Sequence, residues 1–302
     1  MFRKLLVNID DDTEHLLMVE KAARLAALEG HLELYCVAFQ PLIRSAGVFS
    51  EEAERRSRHA YMTQCEARLD HLAGRIRMDE SRVGTDVSWD ENRAAALLRK
   101  CERFNADLLV YPVSTQPALL HHLLAPEDWK VLRESPVPLL LSRDRPWPEH
   151  PRIAVALDPF HPRNEPASLD GRLFGMAHRL VRELEGELHV LHTYTALPQS
   201  AVFDEHRIAD FEHMQEDVTR EHRARLESFL EPWQKELGAA ELHLLEGELH
   251  QEVPRLCEEL RIDLLIIGNV QRGLLERLLV GSSAERLLDR VHCDLMVVKP
   301  DL

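Results

Sequence analysis

The stretch Ile262-Asp263-Leu264-Leu265-Ile266-Ile267-Gly268-Asn269-Val270-Gln271-Arg272-Gly273 opens the segment whose reading decides the fold. A leucine-rich run follows, then Gly281-Ser282-Ser283, then Ala284-Glu285-Arg286-Leu287-Leu288, and Leu295-Met296-Val297-Val298 closes the chain. A short apolar run bounded by glycine suits a strand buried on both faces. Ser282 or Ser283 is a good N-cap for the next helix, and Glu285 falls in its first turn. The order is strand, glycine-bearing loop, helix, strand. The unbonded N–H groups at such a helix start, together with the positive end of its dipole, make an anion site.

Working outward, the chain repeats itself. Ala106-Asp107-Leu108-Leu109-Val110 matches Ile262-Asp263-Leu264-Leu265-Ile266, Gly30-His31-Leu32-Glu33-Leu34 matches Gly186-Glu187-Leu188-His189-Val190, and Cys101-Glu102 matches Cys257-Glu258, all at one offset of 156. Asn8-Ile9-Asp10 matches Ala156-Leu157-Asp158 at 148, so the second copy has extra residues after its first strand. A period this long is a duplicated domain. Each copy reads as a strand ending in aspartate, a helix (14–29; 168–185), a second strand, a long polar helix (51–75; 205–237), a third strand, a Leu/Ala-rich helix, and two more strands around a last helix. Strands alternating with helices of this length predict right-handed crossovers and a parallel sheet covered on both faces, an α/β doubly wound fold present twice. The domains are placed at 1–143 and 152–302. Between them, 144–151 belongs to a stretch with three prolines, Pro146, Pro148 and Pro151, which makes a stiff extended connector.

The chain of 302 residues carries a formal charge of −15. Residues 1–150 hold 20 Lys and Arg against 24 Asp and Glu, and residues 151–302 hold 17 against 28. This acidity argues against nucleic acid and anionic lipid as partners. Arg55, Arg56 and Arg58 follow Glu51, Glu52 and Glu54 and read as a solvated helix face. No apolar run is long enough to span a membrane, and no signal peptide precedes the first strand, so a cytoplasmic location is expected. Five scattered cysteines fit reduced core thiols.

The segment 263–300 resembles the C-terminal signature of the universal stress protein family. That family carries G-x2-G-x9-G-[ST] after its fourth strand and holds the phosphates of ATP with it. Here Gly268, Gln271 and Gly281-Ser282 keep the spacing, with Gln271 in place of the second glycine. The resemblance covers nearly the whole chain, twice, and is closest to tandem members of the family. It implies five-stranded sheets in the order 3-2-1-4-5, association through the last strands and a possible adenine nucleotide ligand, with no obligatory cofactor. It also implies an intramolecular pseudo-dimer, a homodimer being a further possibility.

Under this resemblance the candidate nucleotide residues of the second copy are Asp158, Thr193, Gly268, Gly281, Ser282 and Ser283. Asp158 reads either as facing adenine and ribose or as an aspartate capping the next helix. Thr193 sits where the family contacts adenine through the backbone; it reads equally as a plain strand residue. Gly268 and Gly281 have a second reading as turn and packing glycines. The counterparts in the first copy are Asp10, Val37, Pro112, Ala125, Pro126 and Glu127. Proline lacks the N–H that a phosphate uses, and Glu127 places negative charge where phosphates belong. The first copy is therefore expected to hold no triphosphate.

His189, His192, His243 and His250 lie on or near neighbouring strands. They could approach a metal, but no H-x-x-x-H or C-x-x-C spacing accompanies them, so no metal site is assigned and the sequence leaves metal binding by these histidines open. His206, His213 and His222 on the long helix read as solvated. Cys101 and Cys257 share a helix position, which favours packing. No nucleophile elbow, Walker A lysine or metalloprotease motif is present, and no catalytic residue is assigned. The expected function is a non-enzymatic stress-response protein with weak adenine nucleotide binding in the second copy. The alternatives are a small-molecule or lipid carrier and a slow ATPase or adenylate-handling enzyme.

Overall fold

The computed structural model describes residues 2–11, 13, 15–43, 50–113, 126–160, 164–195, 208–233, 240–268, 287 and 290–299. They fall into two compact units, Met1–Trp147 and Pro148–Leu302. In the first, β1 (Phe2–Asn8), α1 (Leu16–Leu25), β2 (Ala26–Ala38), α2 (Glu51–Ala73), β3 (Val83–Trp89), α3 (Arg93–Phe104), β4 (Leu108–Pro112), α4 (Pro126–Glu134) and β5 (Leu139–Ser142) follow in order. In the second come β6 (Arg152–Ala156), α5 (Asn164–Leu184), β7 (Glu187–Tyr194), α6 (Ile208–Leu230), β8 (Glu241–Glu246), α7 (Leu249–Glu259), β9 (Leu264–Gly268) and β10 (Asp294–Val298).

Within each unit the strands are parallel. The order is β3-β2-β1-β4-β5 in the first and β8-β7-β6-β9-β10 in the second, which is the expected 3-2-1-4-5 arrangement. Leu5, Leu6 and Val7 of β1, Leu108 to Val110 of β4, Ile153 to Val155 of β6 and Leu264 to Ile266 of β9 are all fully buried. Consecutive residues of a strand point to opposite faces, so burial of every residue means that helices cover both faces.

The repeated aspartate explains itself. The Asp107 carboxylate accepts the backbone N–H groups of Arg3 (2.7 Å) and Lys4 (2.9 Å) at the start of β1. Asp263 accepts Arg152 N–H (2.9 Å) at the start of β6. Each satisfies donors that would otherwise end the central strand unpaired. Gly186 is required by close approach: a Cβ there would meet the Pro151 carbonyl oxygen at 2.3 Å. The buried Lys21 of α1 donates to Ser142 Oγ (3.2 Å) and to the Arg143 carbonyl (2.7 Å), fastening the exit of β5.

The long helices bury only narrow stripes, as their charge pattern predicts. In α2 the buried residues are Cys65, Leu69 and Leu72, and Ser50 caps the helix by accepting Ala53 N–H. Arg55, Arg56 and Arg58 are exposed. Three boundaries depart from expectation: α5 opens at Asn164 and not near 168, α6 ends at Leu230 before a 3-10 turn at Glu231–Trp233 and not near 237, and α1 stops early. The first helix ends at Leu25, not near residue 29, because Ala26 pairs with Phe2 and β2 then slips before His31 meets Lys4. Ala26 and Ala27 are strong helix formers, so strand pairing overrides local propensity here. All five cysteines are buried, and burial pushes the Cys101 thiol up to about 12, which suits packing and not catalysis.

Candidate functional site

In open parallel sheets ligands sit beyond the carboxyl ends of the strands, where the order reverses. In the second unit that place lies at the ends of β6, β7 and β9, adjacent in the sheet. Asp158 follows β6 and is exposed, and its Oδ1 accepts Phe160 N–H at 3.2 Å, a local turn bond. Thr193 lies near the end of β7, half-buried and in register with Leu245. Gly268 ends β9. A Cβ there would meet Leu169 Cδ2 at 2.9 Å and Leu173 Cδ1 at 3.1 Å, so close packing against α5 is reason enough for glycine. The topology thus brings Asp158, Thr193 and Gly268 to one edge. Gln271, Gly281, Ser282 and Ser283 lie outside the described residues.

Beside Asp158 stands a stack that the sequence reading missed. The Phe160 ring lies 3.9 Å from the His222 ring and 5.7 Å from that of His192, centroid to centroid, and the Arg225 guanidinium lies 4.9 Å over it. His192 Nδ1 is 3.0 Å from the Leu157 carbonyl, which only accepts, so Nδ1 carries the proton. His192 Nε2 lies 2.8 Å from His222 Nδ1, so a ring-to-ring hydrogen bond joins the two. Tyr194 stacks on His222 and bonds Thr219 Oγ1 at 3.0 Å. Burial, with the neighbouring His192 second, lowers the His222 pKa and keeps that ring neutral. His222 is therefore not solvated as its helix suggested, whereas His213 is exposed and His206 lies outside the described residues. The signal was present: 222, 226 and 230 are spaced on one helix face, and Leu226 and Leu230 are buried.

The first unit's equivalent edge is built differently. Asp10 Oδ2 pairs with His15 Nε2 at 2.9 Å. Asp11, nearly buried, accepts from Arg93 at 2.7 Å and from the Tyr61 hydroxyl at 3.0 Å. Burial and then that bond push the Tyr61 hydroxyl up to about 12. Arg68 donates to the backbone carbonyls of Asp10 (2.9 Å) and Asp11. Val37 is buried in β2, and Pro112 is buried at the end of β4, in register with Ser142. Ala125 lies outside the described residues. Pro126 and Glu127 open α4, where proline suits the first helical position, and Tyr111 donates to Asp128 Oδ1 at 2.6 Å, holding α4 onto β4.

A third constellation lies on the other face of β7. The parallel register sets His189 opposite Glu241 and Leu191 opposite His243, so the side chains of 189, 241 and 243 share one face. His189 Nδ1 is 3.1 Å from His243 Nε2, and the Glu241 carboxylate is 3.6 Å and 3.8 Å from these two nitrogens. Strand pairing assembles this group where no sequence spacing announced one, and Glu241 was not singled out. His250 on α7 is buried but is not one of the three. On α5, Arg172, His178, Arg179 and Arg182 line a groove of about 750 Å³ with Gly171, Gly175, Met176 and Trp233. Arg172 of this groove donates to the Lys299 carbonyl, just past the end of β10, at 3.2 Å.

The Universal stress protein family model matches residues 1–143 and 150–299. The chain belongs to that family. Among its relatives, the Universal stress protein E homolog of Haemophilus influenzae is 23% identical over 313 residues, covering 99% of this chain and 98% of that protein. Universal stress protein E of Escherichia coli (strain K12) is 22% identical over 312 residues, covering 100% of this chain and 95% of that one. Two solved structures share the fold. A functionally unknown protein from Pseudomonas aeruginosa PAO1 aligns with a TM-score of 0.70 at 22% identity over 99% of this chain and 93% of that one. A universal stress protein from Archaeoglobus fulgidus DSM 4304 aligns at 0.63 and 15% identity over 98% and 96%. The tandem, universal stress protein E-like organisation of the chain follows from the two family matches and these whole-length relatives. Among the described residues no helix is long and apolar enough to cross a membrane.

Proposed function

We propose that this universal stress protein acts in the stress response without catalysing a reaction, and that its second unit binds an adenine nucleotide weakly beyond β6, β7 and β9. One observation carries the asymmetry. In the first unit the aspartates that follow the central strand are tied to His15, Arg93, Tyr61 and Arg68, whereas Asp158 is exposed beside flat aromatic and imidazole surfaces. The spacing Gly268, Gln271, Gly281-Ser282 supports the same side, and Gln271, where the family pattern has glycine, is the reason for expecting low affinity. No cofactor is obligatory in this reading. Calorimetry with ATP on the intact chain and on Asp158→Ala and Asp10→Ala variants tests it. One site per chain is expected, lost in Asp158→Ala and kept in Asp10→Ala. Two equal sites, or loss with Asp10→Ala alone, overturn the asymmetry. No binding in any variant removes the nucleotide and leaves the glycines to packing.

We also propose that the apolar last strands β5 and β10 are paired, with each other or with a second copy, because an exposed apolar edge invites aggregation. Slow hydrogen exchange along both strands is expected, and exchange at the rate of an open edge would remove the idea.

A further inference from the structure

We propose that His189, Glu241 and His243 form a binding site for a divalent first-row transition metal of the zinc class, on the face of the sheet opposite the His192–His222 stack. The geometry comes first. Three donor atoms separated by 3.1, 3.6 and 3.8 Å have an equidistant point about 2.0 Å from each, and zinc takes imidazole nitrogen and carboxylate oxygen at about 2.0–2.2 Å. An ion placed there needs no strand to move. Two nitrogens and one carboxylate suit zinc, cobalt or nickel, whereas calcium and magnesium prefer oxygen alone. Three protein donors leave a coordination position for solvent.

The surroundings are arranged for such an ion. With the metal on Nδ1, His189 carries its proton on Nε2. That atom is buried and makes no hydrogen bond among the described residues, while the Glu187 carboxylate lies 4.0 Å from it. A shift of about 1 Å makes the hydrogen bond and gives the carboxylate–histidine–metal arrangement common around zinc. Arg152 Nε holds Glu187 at 2.9 Å. Among the described residues the charges facing the site are Glu187, Glu241 and, from α7, Glu259, against the cation Arg152. That balance is negative and favours a cation. Burial lowers the pKa of both imidazoles, first among the causes in each case, which keeps them in the neutral form that ligates metals. An ion here would clip β8, the terminal strand of its sheet, to β7.

The test uses the full chain, stripped with a chelator and titrated with Co²⁺, followed by visible absorption, and with Zn²⁺, followed by calorimetry. One equivalent is expected. His243→Ala should weaken it more than about 100-fold, and Glu187→Gln by about 10-fold, the low end of the range for residues that orient metal ligands. His192→Ala should leave it unchanged. Zn²⁺ should also raise the unfolding midpoint of the wild type and not of His243→Ala, since an ion that binds only the folded state stabilises it. Absence of a stoichiometric site overturns the proposal, and so does unchanged affinity in His243→Ala. If His243→Ala does not fold, Glu241→Gln decides: its carboxylate is 64% exposed, so the fold tolerates the change. Its affinity should fall at least 10-fold, and unchanged affinity again overturns the site.

Discussion

The two sheet edges of this tandem universal stress protein occupy the same topological place and are finished in opposite ways. Beyond β1, carboxylates are consumed by partners from α2 and α3: Asp11 meets Tyr61 and Arg93, and Arg68 binds the backbone beside it. Beyond β6, Phe160, His192 and His222 stack, and Asp158, the counterpart of Asp10, is exposed. The difference teaches that a duplicated scaffold keeps its framing residues, such as Asp107 and Asp263, while the ligand edge is free to diverge. An edge whose charges are internally satisfied gains stability and has less to offer a ligand.

The sharpest way to break this comparison is to remove the aspartates. Asp11→Ala leaves Arg93 and the Tyr61 hydroxyl without their shared acceptor, and the first unit should lose about 2–3 kcal/mol. Urea unfolding followed by tryptophan fluorescence measures it, and a loss below about 0.5 kcal/mol would show that the network is decoration. Next in size, Gly268→Ala should cost about 1 kcal/mol, since Leu169 and Leu173 must give way in a packed core. An unchanged midpoint in thermal unfolding would return Gly268 to a purely ligand-related role. Asp158→Ala should change stability by less than about 0.5 kcal/mol, because its carboxylate is exposed. A larger drop in the same scan would mean that the second edge is as internally committed as the first.

The smallest effect concerns pH. The folded pKa of His222 lies below its unfolded value, so the unfolded chain binds that proton more readily. Its stabilising contribution is complete above the unfolded pKa of about 6.5 and is lost as pH falls below it. His192, Glu221, Asp158 and Arg225 are the groups facing it. His222→Phe keeps the stack and should flatten the decline in stability between neutral and mildly acidic pH. An unaltered slope in denaturation series across that range would count against a neutral ring in the fold.

Much of the architecture was legible because its signals are local. Buried apolar runs marked β4 and β9, the common offset marked the duplication, and the charge pattern of α2 and α6 foretold narrow buried stripes. The end of α1 was not legible: Ala26 and Ala27 favour helix, and only their pairing across to Phe2 decides otherwise. The sites were read unevenly for a related reason. Asp158, Thr193 and Gly268 share an edge because topology puts strand ends together. Phe160 meets His192 32 positions away and Glu241 meets His189 52 positions away, and no spacing within one element reveals such meetings.

The clamp by which Asp107 holds the amino end of β1 has a consequence for the order in which the protein is made. β1 leaves the ribosome well before the residue that fastens it, which lies 104 positions later. At about 5–20 residues per second, that partner arrives some 5–20 s afterwards. Until then β1 has β2 on one side and nothing on the other, an apolar ribbon in need of shelter. The second half meets the same delay, since Asp263 follows Arg152 by 111 positions. Synthesis therefore passes through two separate intervals of exposure, each closed by the arrival of a single aspartate.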